Sequence, residues 1–260
     1  MLEIKNVTIS YGERPAVRNF SMTLHKGEIA SLVGESGSGK TTVIRAVLGL
    51  LPGGGRVTEG DILFEGKSLL KNTGEEWRTL RGTDISMIFQ DSGAMLNPIR
   101  KIGNVFVEYI RTHEKISKKD AWKKGMEMME RMRLPDGDNI MNSYPFQLSG
   151  GMRQRVGIAM AMTFQPKLLL ADEPPSALDV TTQAQIVRQM MELRDEYGTS
   201  IIMVTHNLGV AAYMSDQIVV MKEGQIVDRG GRDQILRGGS SVYTQELLDA
   251  VPSLGGVRYV

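Results

Sequence analysis

The opening of the chain alternates apolar and polar residues. The alternation over Leu2–Tyr11 has the period of a half-buried strand. A second strand is predicted over Val17–Leu24, on the far side of a turn marked by Gly12 and Pro15. The two segments therefore predict an antiparallel β layer at the beginning of the chain.

Short and largely apolar runs further along have the pattern of strands buried in a parallel sheet. They are Ile29–Val33, Ile85–Phe89, Leu168–Ala171 and Ser200–Val204. Helices are predicted after the first and third of these runs, beginning near Val43 and Gln183, and Glu223-Gly224 predicts a hairpin turn between two late strands. The alternation of buried strands and helices predicts an α/β core.

The predicted secondary structure changes over residues 91–147, from strands alternating with helices to helices alone. Helices are predicted over Ile102–Arg111 and Asp120–Arg133, and the second is rich in methionine and lysine. We interpret its methionines as adaptable core packing, and the alternative is a surface that grips a partner. We expect a single domain over residues 1–260, with these parts: a core with its β layer from 1–90 and 148–235, a helical subdomain at 91–147, and a short C-terminal tail at 236–260.

The composition excludes several classes of protein. The 260 residues carry 31 Lys and Arg against 30 Asp and Glu, so the net charge of +1 gives no support for bulk binding to nucleic acid or to an acidic membrane. There is no cysteine, which rules out disulfides, thiol catalysis and cysteine-bound metal. The first residues have no apolar signal region, and no apolar run approaches the roughly 18 residues of a membrane span. We therefore expect neither a signal peptide nor a membrane-spanning segment.

The strongest chemical signal is a glycine-rich loop with the pattern G-x-x-x-x-G-K-T. It stands between a predicted strand and a predicted helix, which is the context that a phosphate-binding loop requires. Glycines let backbone N–H groups turn toward phosphate oxygens, and the helix N-terminus adds a positive dipole end. Lys40 can reach the β- and γ-phosphates, and the Thr41 hydroxyl can bind Mg²⁺. The candidate nucleotide-binding residues here are Gly34, Glu35, Ser36, Gly37, Ser38, Gly39, Lys40, Thr41 and Thr42.

Polar residues at the ends of buried strands form a second group of candidates. Asp172 and Glu173 follow one such run, and two adjacent carboxylates at a strand end are costly unless they bind something. Asp172 can hold Mg²⁺, and Glu173 can polarise a water molecule. Gln90 ends another strand, and His206, just past a third, is a candidate phosphate sensor.

Two further candidates have an ordinary alternative. Ser149, Gly150 and Gly151 open a helix, where they could bind an anion or where the serine could simply be an N-cap. Tyr11 ends an early strand, where its ring could stack on a base or could be an interior tyrosine.

Together these motifs resemble one family, the ATP-binding subunits of ABC transporters, and the resemblance covers almost the whole chain. Gly34–Thr41 is similar to the family's Walker A motif and Leu168–Asp172 to its Walker B motif, with Glu173 at the catalytic glutamate. Leu148–Gly151 is similar to the signature motif. The resemblance implies a P-loop NTPase fold of the ABC ATPase type: an α/β protein with a mixed sheet core, an antiparallel β layer and a helical subdomain.

The resemblance also implies roles for the remaining candidates. Gln90 falls at the Q-loop, Asp179 at the D-loop, His206 at the switch histidine and Tyr11 at the aromatic residue that stacks on the base. ATP and Mg²⁺ are the implied cofactors, with Thr41, Gln90 and Asp172 around the metal. Glu173, His206 and Gln90 are the implied catalytic residues. ATP is expected between two such subunits, with Walker A from one and Ser149, Gly150 and Gly151 from the other.

A narrower resemblance is to the oligopeptide, dipeptide and nickel importer subfamily. It rests on Phe89-Gln90-Asp91 with Leu96-Asn97-Pro98, on Gly150–Arg155, and on the tail from Tyr243 to Leu248 with Pro252. Many members of that subfamily have a cysteine-bearing C-terminal extension, whereas this sequence contains no cysteine. It also has Pro175-Ser176 where two threonines are usual, and the proline stiffens the approach to Asp179.

The resemblance implies partners and a location. The implied partners are a second ATPase subunit of a different but related sequence, two membrane-spanning permease subunits and, indirectly, an extracytoplasmic solute-binding protein. The implied location is peripheral, on the cytoplasmic face of the membrane. No nucleic acid is expected. A soluble ABC-type ATPase acting on nucleic acid or ribosomes is the main alternative, but such proteins need inserted coiled coils, cysteine-bound zinc or two cassettes. A plain P-loop kinase would not need Leu148–Gly151.

Overall fold

The computed structural model describes residues 1–90, 95–174, 180–250, 253–254 and 257–258. Its strands are β1 (Leu2–Tyr11), β2 (Arg14–Leu24), β3 (Ile29–Val33), β4 (Arg56–Phe64), β5 (Lys67–Ser68), β6 (Ile85–Ile88), β7 (Leu168–Asp172), β8 (Ser200–Thr205), β9 (Gln217–Lys222), β10 (Gln225–Gly231), β11 (Ser253–Leu254) and β12 (Val257–Arg258). Its helices are α1 (Lys40–Val47), α2 (Gly74–Leu80), α3 (Ile102–His113), α4 (Lys118–Arg131), α5 (Gly137–Asn142), α6 (Gly150–Met162), α7 (Val180–Tyr197), α8 (Leu208–Met214), α9 (Arg232–Leu236) and α10 (Val242–Asp249).

The chain forms two compact units, and the first consists of residues 1–77 and 200–260. One sheet of this unit is antiparallel, with the strand order β2-β1-β4-β5. Leu2 lies opposite Leu24 on β2 and opposite Phe64 on β4, and all three side chains are buried. The predicted antiparallel layer is confirmed, and its buried apolar face fixes the register of the strands.

The other large sheet of the first unit is mixed. Strand β3 lies between β9 and β8 and runs parallel to both, while β10 pairs antiparallel with β9. Every residue of β3 and β8 is buried, which explains their largely apolar sequences. Val33 lies opposite Thr205 and Val220, so the carboxyl ends of the three parallel strands lie together. In open α/β sheets this edge is where ligands bind.

The C-terminal helices close one face of this unit. An apolar cluster joins the end of β3 and strand β9 to α8, α9 and α10; its buried members are Val33, Leu208, Ala211, Ala212, Ile218, Val220, Ile235, Tyr243 and Leu248. The Asp228 carboxylate on β10 accepts hydrogen bonds from the backbone N–H groups of Ser240 and Ser241 and from the hydroxyls of Ser240 and Thr244. We call these four residues the Asp228 network, and it anchors the beginning of α10 to β10.

The second unit consists of residues 78–199. Strands β6 and β7 pair in parallel, with Ile85 opposite Leu168. The helices pack around a fully buried Phe106 and around the methionines of the α4 region. Of these, Met128, Met129 and Met132 are each at most 6% exposed, which supports the interpretation as core packing.

The helices differ from their predicted ends by small amounts. Helix α3 continues past Arg111 to His113, and α4 ends at Arg131 rather than Arg133. Arg133 has a φ of 52°, and a residue in this left-handed conformation ends a helix. The predicted subdomain limits at residues 91 and 147 stay a prediction. Among the residues described, no helix combines the length and the apolar character needed to cross a membrane.

Candidate nucleotide-binding site

The glycine-rich loop joins β3 to α1 at the carboxyl edge of the mixed sheet, as predicted. Gly34 and Gly37 have φ values of 153° and 83°, in the region that favours glycine. A Cβ at Gly34 would also lie 2.1 Å from the carbonyl oxygen of Met221, so no side chain fits there. The loop therefore needs glycine at position 34 for both conformation and space.

The ammonium of Lys40 lies over this loop. Its Nζ donates hydrogen bonds to the carbonyl oxygens of Gly34 at 2.7 Å and Glu35 at 2.6 Å, and to Ser38 Oγ at 3.2 Å. Helix α1 begins at Lys40, and its N-cap Gly39 gives no side-chain cap and its first turn has no acidic residue. An N-terminus of this kind attracts an anion through its N–H groups and its dipole. Thr41 and Thr42, in the first turn, are half-buried.

Two contacts on the outer side of the loop were not predicted from the sequence. The backbone N–H of Gly224, in the hairpin turn after β9, donates to the carbonyl oxygen of Ser38 at 3.1 Å. The backbone N–H of Glu35 donates to the hydroxyl oxygen of Tyr243 on α10 at 3.0 Å. Both contacts use backbone groups, which do not depend on the residue type and so cannot be recognised in a sequence. Only the predicted hairpin turn at Glu223-Gly224 and the presence of Tyr243 in the tail could have indicated them.

Two further candidates belong to the same unit. The Tyr11 ring is half-buried and rests on Gly55, where a Cβ would lie 2.5 Å from ring carbon Cε1. His206 directly follows β8 and is exposed. Its neighbour Asn207 donates its N–H to Thr205 Oγ1 at 3.0 Å and caps α8 with its side chain, so the backbone on the C-terminal side of His206 is fixed.

The carboxylate candidates lie in the second unit. Asp172 is the last residue of β7 and is 4% exposed. Glu173 follows with a φ of 46°, a left-handed conformation that a non-glycine residue adopts only where its surroundings impose it. Gln90 Nε2 donates to Glu173 Oε2 at 3.1 Å, so the structure brings these two predicted residues together.

Ser149 is the N-cap of α6. Its hydroxyl oxygen accepts a hydrogen bond from the N–H of Met152 at 3.3 Å, which confirms the ordinary reading as a cap. Ser149 and Gly150 are nevertheless exposed and Gly151 is half-buried. Capping uses the oxygen as an acceptor, and the O–H remains a donor suited to an anion. Asp179 and Pro175 lie outside the described residues.

The strand, the glycine loop, the helix N-terminus and Lys40 define a P-loop nucleotide-binding protein. A family model described as "ABC transporter" matches residues 17–176. The chain belongs to the ABC transporter family, and it is an ATP-binding and ATP-hydrolysing protein of the ABC ATPase fold.

Individual relatives agree with this assignment. The chain is 46% identical over 98% of its length to an oligopeptide transport ATP-binding protein of Bacillus subtilis, of which it covers 72%. It is 42% identical over 98% of its length to a dipeptide transport ATP-binding protein of Lactococcus lactis subsp. cremoris, of which it covers 74%. A solved structure of a dimeric ATP-binding cassette, in a post-hydrolysis state with ADP and phosphate, matches with a TM-score of 0.79 and 29% identity over 89% of this chain and 99% of that one.

Proposed function

We propose that this chain is the ATPase subunit of an importer whose solute is a peptide. The observation that carries the proposal is the identity of 46% and 42%, over 98% of the chain in each case, to proteins named for oligopeptide and dipeptide transport. Nickel and metal chelates remain in the proposal as solutes that the sequence resemblance implies. The solute itself would bind elsewhere, because the work of this chain is to bind and hydrolyse ATP.

We assign the nucleotide to Gly34–Thr42, with the base against Tyr11. The loop supplies backbone N–H groups, Lys40 supplies a cation, and the α1 N-terminus is free of a side-chain cap. By resemblance we assign Mg²⁺ to Thr41, Gln90 and Asp172, whose hydroxyl, amide and carboxylate oxygens are each of the hard donor type that Mg²⁺ prefers. Mg²⁺, if held by these residues, would supply positive charge against the phosphates of ATP.

Glu173 is the proposed residue that orients and polarises water. A water oxygen attacks the γ-phosphorus, the bond from that phosphorus to the bridging oxygen breaks, and ADP and phosphate leave. The hydrogen bond from Gln90 Nε2 positions the Glu173 carboxylate, and the amide oxygen Oε1 of Gln90 stays available as a metal ligand. His206 is the proposed contact to the γ-phosphate.

We propose that two ATPase subunits enclose each ATP, as the dimeric state of the similar cassette suggests. Ser149 and the N–H groups of Gly150 and Gly151 would then face the γ-phosphate held by the partner. Asp179 is assigned to the same interface by resemblance. Binding would close the pair and product release would reopen it, which is a population shift driven by the ligand.

The proposed partners are a related second ATPase chain, two membrane-spanning permease subunits and, through them, an extracytoplasmic solute-binding protein. The chain would lie on the cytoplasmic face of the membrane. We propose that the predicted helical subdomain at residues 91–147 docks to the permeases, close to Arg100 and Lys101. The exposed apolar side chains of Met95 and Ile99, at 60% and 82%, support an interface there.

Transport by the reconstituted complex tests the proposal. Vesicles that contain the permeases and this chain should take up a labelled oligopeptide only with ATP, and Lys40→Ala should abolish uptake because it removes the phosphate-binding cation. A labelled amino acid serves as the solute control, and a nickel salt tests the other solute that the resemblance implies. If the vesicles hydrolyse ATP but take up neither the peptide nor nickel, the proposed solute class is refuted.

A further inference from the structure

Tyr243 contacts the glycine-rich loop although it lies near the other end of the chain. Its hydroxyl oxygen accepts the hydrogen bond from the Glu35 N–H at 3.0 Å. The side chain is 5% exposed, and Lys222 Nζ lies 4.6 Å from the centre of its ring. Burial raises the pKa of the phenol, so the hydroxyl stays protonated and neutral near pH 7.

The N–H that Tyr243 binds belongs to the same peptide group as the Gly34 carbonyl. This peptide is planar and trans, so its N–H and C=O point in opposite directions. With the N–H held on Tyr243, the Gly34 carbonyl is directed to the other side, where it accepts from Lys40 Nζ at 2.7 Å. One hydrogen bond therefore sets the orientation of a peptide that carries an acceptor of the P-loop lysine.

This peptide needs an external constraint. Gly34 has no Cβ, so its backbone has more accessible conformations than that of any other residue type. The Glu35 side chain is exposed and supplies no packing of its own. The carbonyl of Met221 restricts one side of Gly34, and Tyr243 restricts the N–H of the peptide that follows it.

The tyrosine is itself held in place. Thr244, the next residue of α10, is fully buried and donates from Oγ1 to Asp228 Oδ2 at 2.9 Å. The Tyr243 ring packs in the apolar cluster with Val33, the last residue before the loop. The hydroxyl is therefore presented to the loop by a fixed helix rather than by a free side chain.

We infer that Tyr243 is a positioning residue for ATP binding, which holds the Gly34–Glu35 peptide in the orientation that the phosphate-binding loop requires. The inference rests on the proposed ATP site at Gly34–Thr42. Without the hydroxyl, a fraction of the protein molecules has the Gly34–Glu35 peptide in another orientation. The apparent affinity for ATP falls in proportion to the fraction that keeps the binding orientation. Once ATP is bound the loop is in its binding orientation, so the chemical step at Glu173 is not slowed.

Tyr243→Phe tests the inference because phenylalanine keeps the ring and its packing. Binding of a fluorescent ATP analogue to the full-length chain should weaken on the order of fivefold. In the assembled transporter, the KM for ATP should rise by the same factor while kcat stays within about twofold. A loss of kcat with an unchanged KM would contradict the positioning role.

Tyr109→Phe is the matched control, because it makes the same change at a tyrosine of the second unit, whose hydroxyl donates to the carbonyl oxygen of Gly82 at 2.8 Å. It should lower the melting temperature and leave ATP affinity at the wild-type value. Equal losses of affinity in both variants would overturn the inference, since a general loss of stability would then be the cause. Unchanged affinity in Tyr243→Phe, with a wild-type chain that binds ATP, would overturn it and leave the proposed site standing. A wild-type chain that fails to bind ATP would refute the site as well.

Discussion

At the scale of single residues, Glu173 combines a strained backbone with a placed carboxylate. A non-glycine residue at a φ of 46° carries a cost of about 1–3 kcal/mol, which the fold must offset elsewhere. The conformation turns the chain at the end of β7 and brings the carboxylate to Gln90 Nε2. The strain therefore lies at the residue to which we assign the activation of water.

Replacing Glu173 with glutamine should preserve ATP binding and lower turnover by at least about a hundredfold. Glutamine keeps the shape of the side chain and loses the charge that polarises water. Phosphate release by the assembled complex measures turnover, and a fluorescent ATP analogue measures binding. Glu223→Gln is the control, since Glu223 has a similar φ of 49° at an exposed hairpin turn. Turnover of Glu173→Gln within a few-fold of wild type would exclude Glu173 as the catalytic group.

The sequence predicted some of these residues and missed others for a physical reason. Gln90 and Glu173 each follow a predicted buried strand, so their positions could be inferred, and their mutual hydrogen bond followed once β6 and β7 paired. Tyr243 binds a backbone N–H that every non-proline residue possesses. The residue type at position 35 therefore does not indicate that its N–H binds a tyrosine, and the contact could be found only in the three-dimensional structure.

At the scale of elements, the Asp228 network fixes the C-terminal helix α10. Burial alone would raise the pKa of Asp228, but the hydrogen bonds from Ser240, Thr244 and Ser241 outweigh it and lower the pKa below its usual value. A carboxylate whose pKa is lower in the folded state stabilises the fold at pH values above its unfolded pKa. That contribution is lost as the pH falls through the folded pKa.

Asp228→Asn should therefore destabilise the protein at pH 7 by about 1–3 kcal/mol, because neutral acceptors replace charged ones and an amide N–H₂ enters a site built of donors. The difference from wild type should shrink as the pH falls below about 4. Urea unfolding at a series of pH values measures this. Asp233→Asn, at an exposed position on α9, should change stability by no more than about 0.5 kcal/mol. A difference that stayed constant down to the acid limit would mean that the charge of Asp228 contributes nothing.

The elements themselves were largely predictable, and their ends were not. Alternation and apolar runs located the strands because burial on one or both faces dictates those patterns. The end of α4 depends on the left-handed conformation of Arg133, which arginine does not favour by itself. Arg133 donates a hydrogen bond from its guanidinium to Glu192 on α7, which joins parts of the second unit that are distant in sequence. The residues next to Arg133 in the sequence do not predict this contact.

At the scale of the whole molecule, we propose that a second subunit completes the site. Ser149 and Gly150 are exposed at the N-terminus of α6, and the serine oxygen accepts only the capping bond from Met152 at 3.3 Å among the hydrogen bonds described. A phosphate held by another subunit could be reached by such an exposed helix N-terminus. The family assignment follows from the order of motifs, whereas the identity of the partner chain is not encoded in this sequence.

Ser149→Arg should leave ATP binding by the isolated chain nearly intact, because Lys40 and Thr41 belong to this subunit. It should block closure of the pair and abolish transport, because the arginine fills the space that the partner's phosphate must enter. Nucleotide binding by the isolated variant and ATP turnover by the full complex are measured together. Equal loss of both would place Ser149 within its own subunit's site or in folding.

The matched control is Ser117→Arg, which makes the same change at the N-cap of α4. Both variants lose a cap worth about 1 kcal/mol, so they share the cost to stability. Only Ser149→Arg should lose turnover. A similar loss in both variants would show that the cap, and not the interface, explains the effect.

The Asp228 network also determines how the chain can open locally. Its bonds join β10 to the start of α10, so residues 229–239, which contain α9, form a loop that is closed at both ends. Helix α10 and strand β10 therefore unfold as one cooperative unit, because the hydrogen bonds of the Asp228 network must break together before α10 can separate. The phosphate-binding loop therefore keeps its support from Tyr243 until that whole unit unfolds.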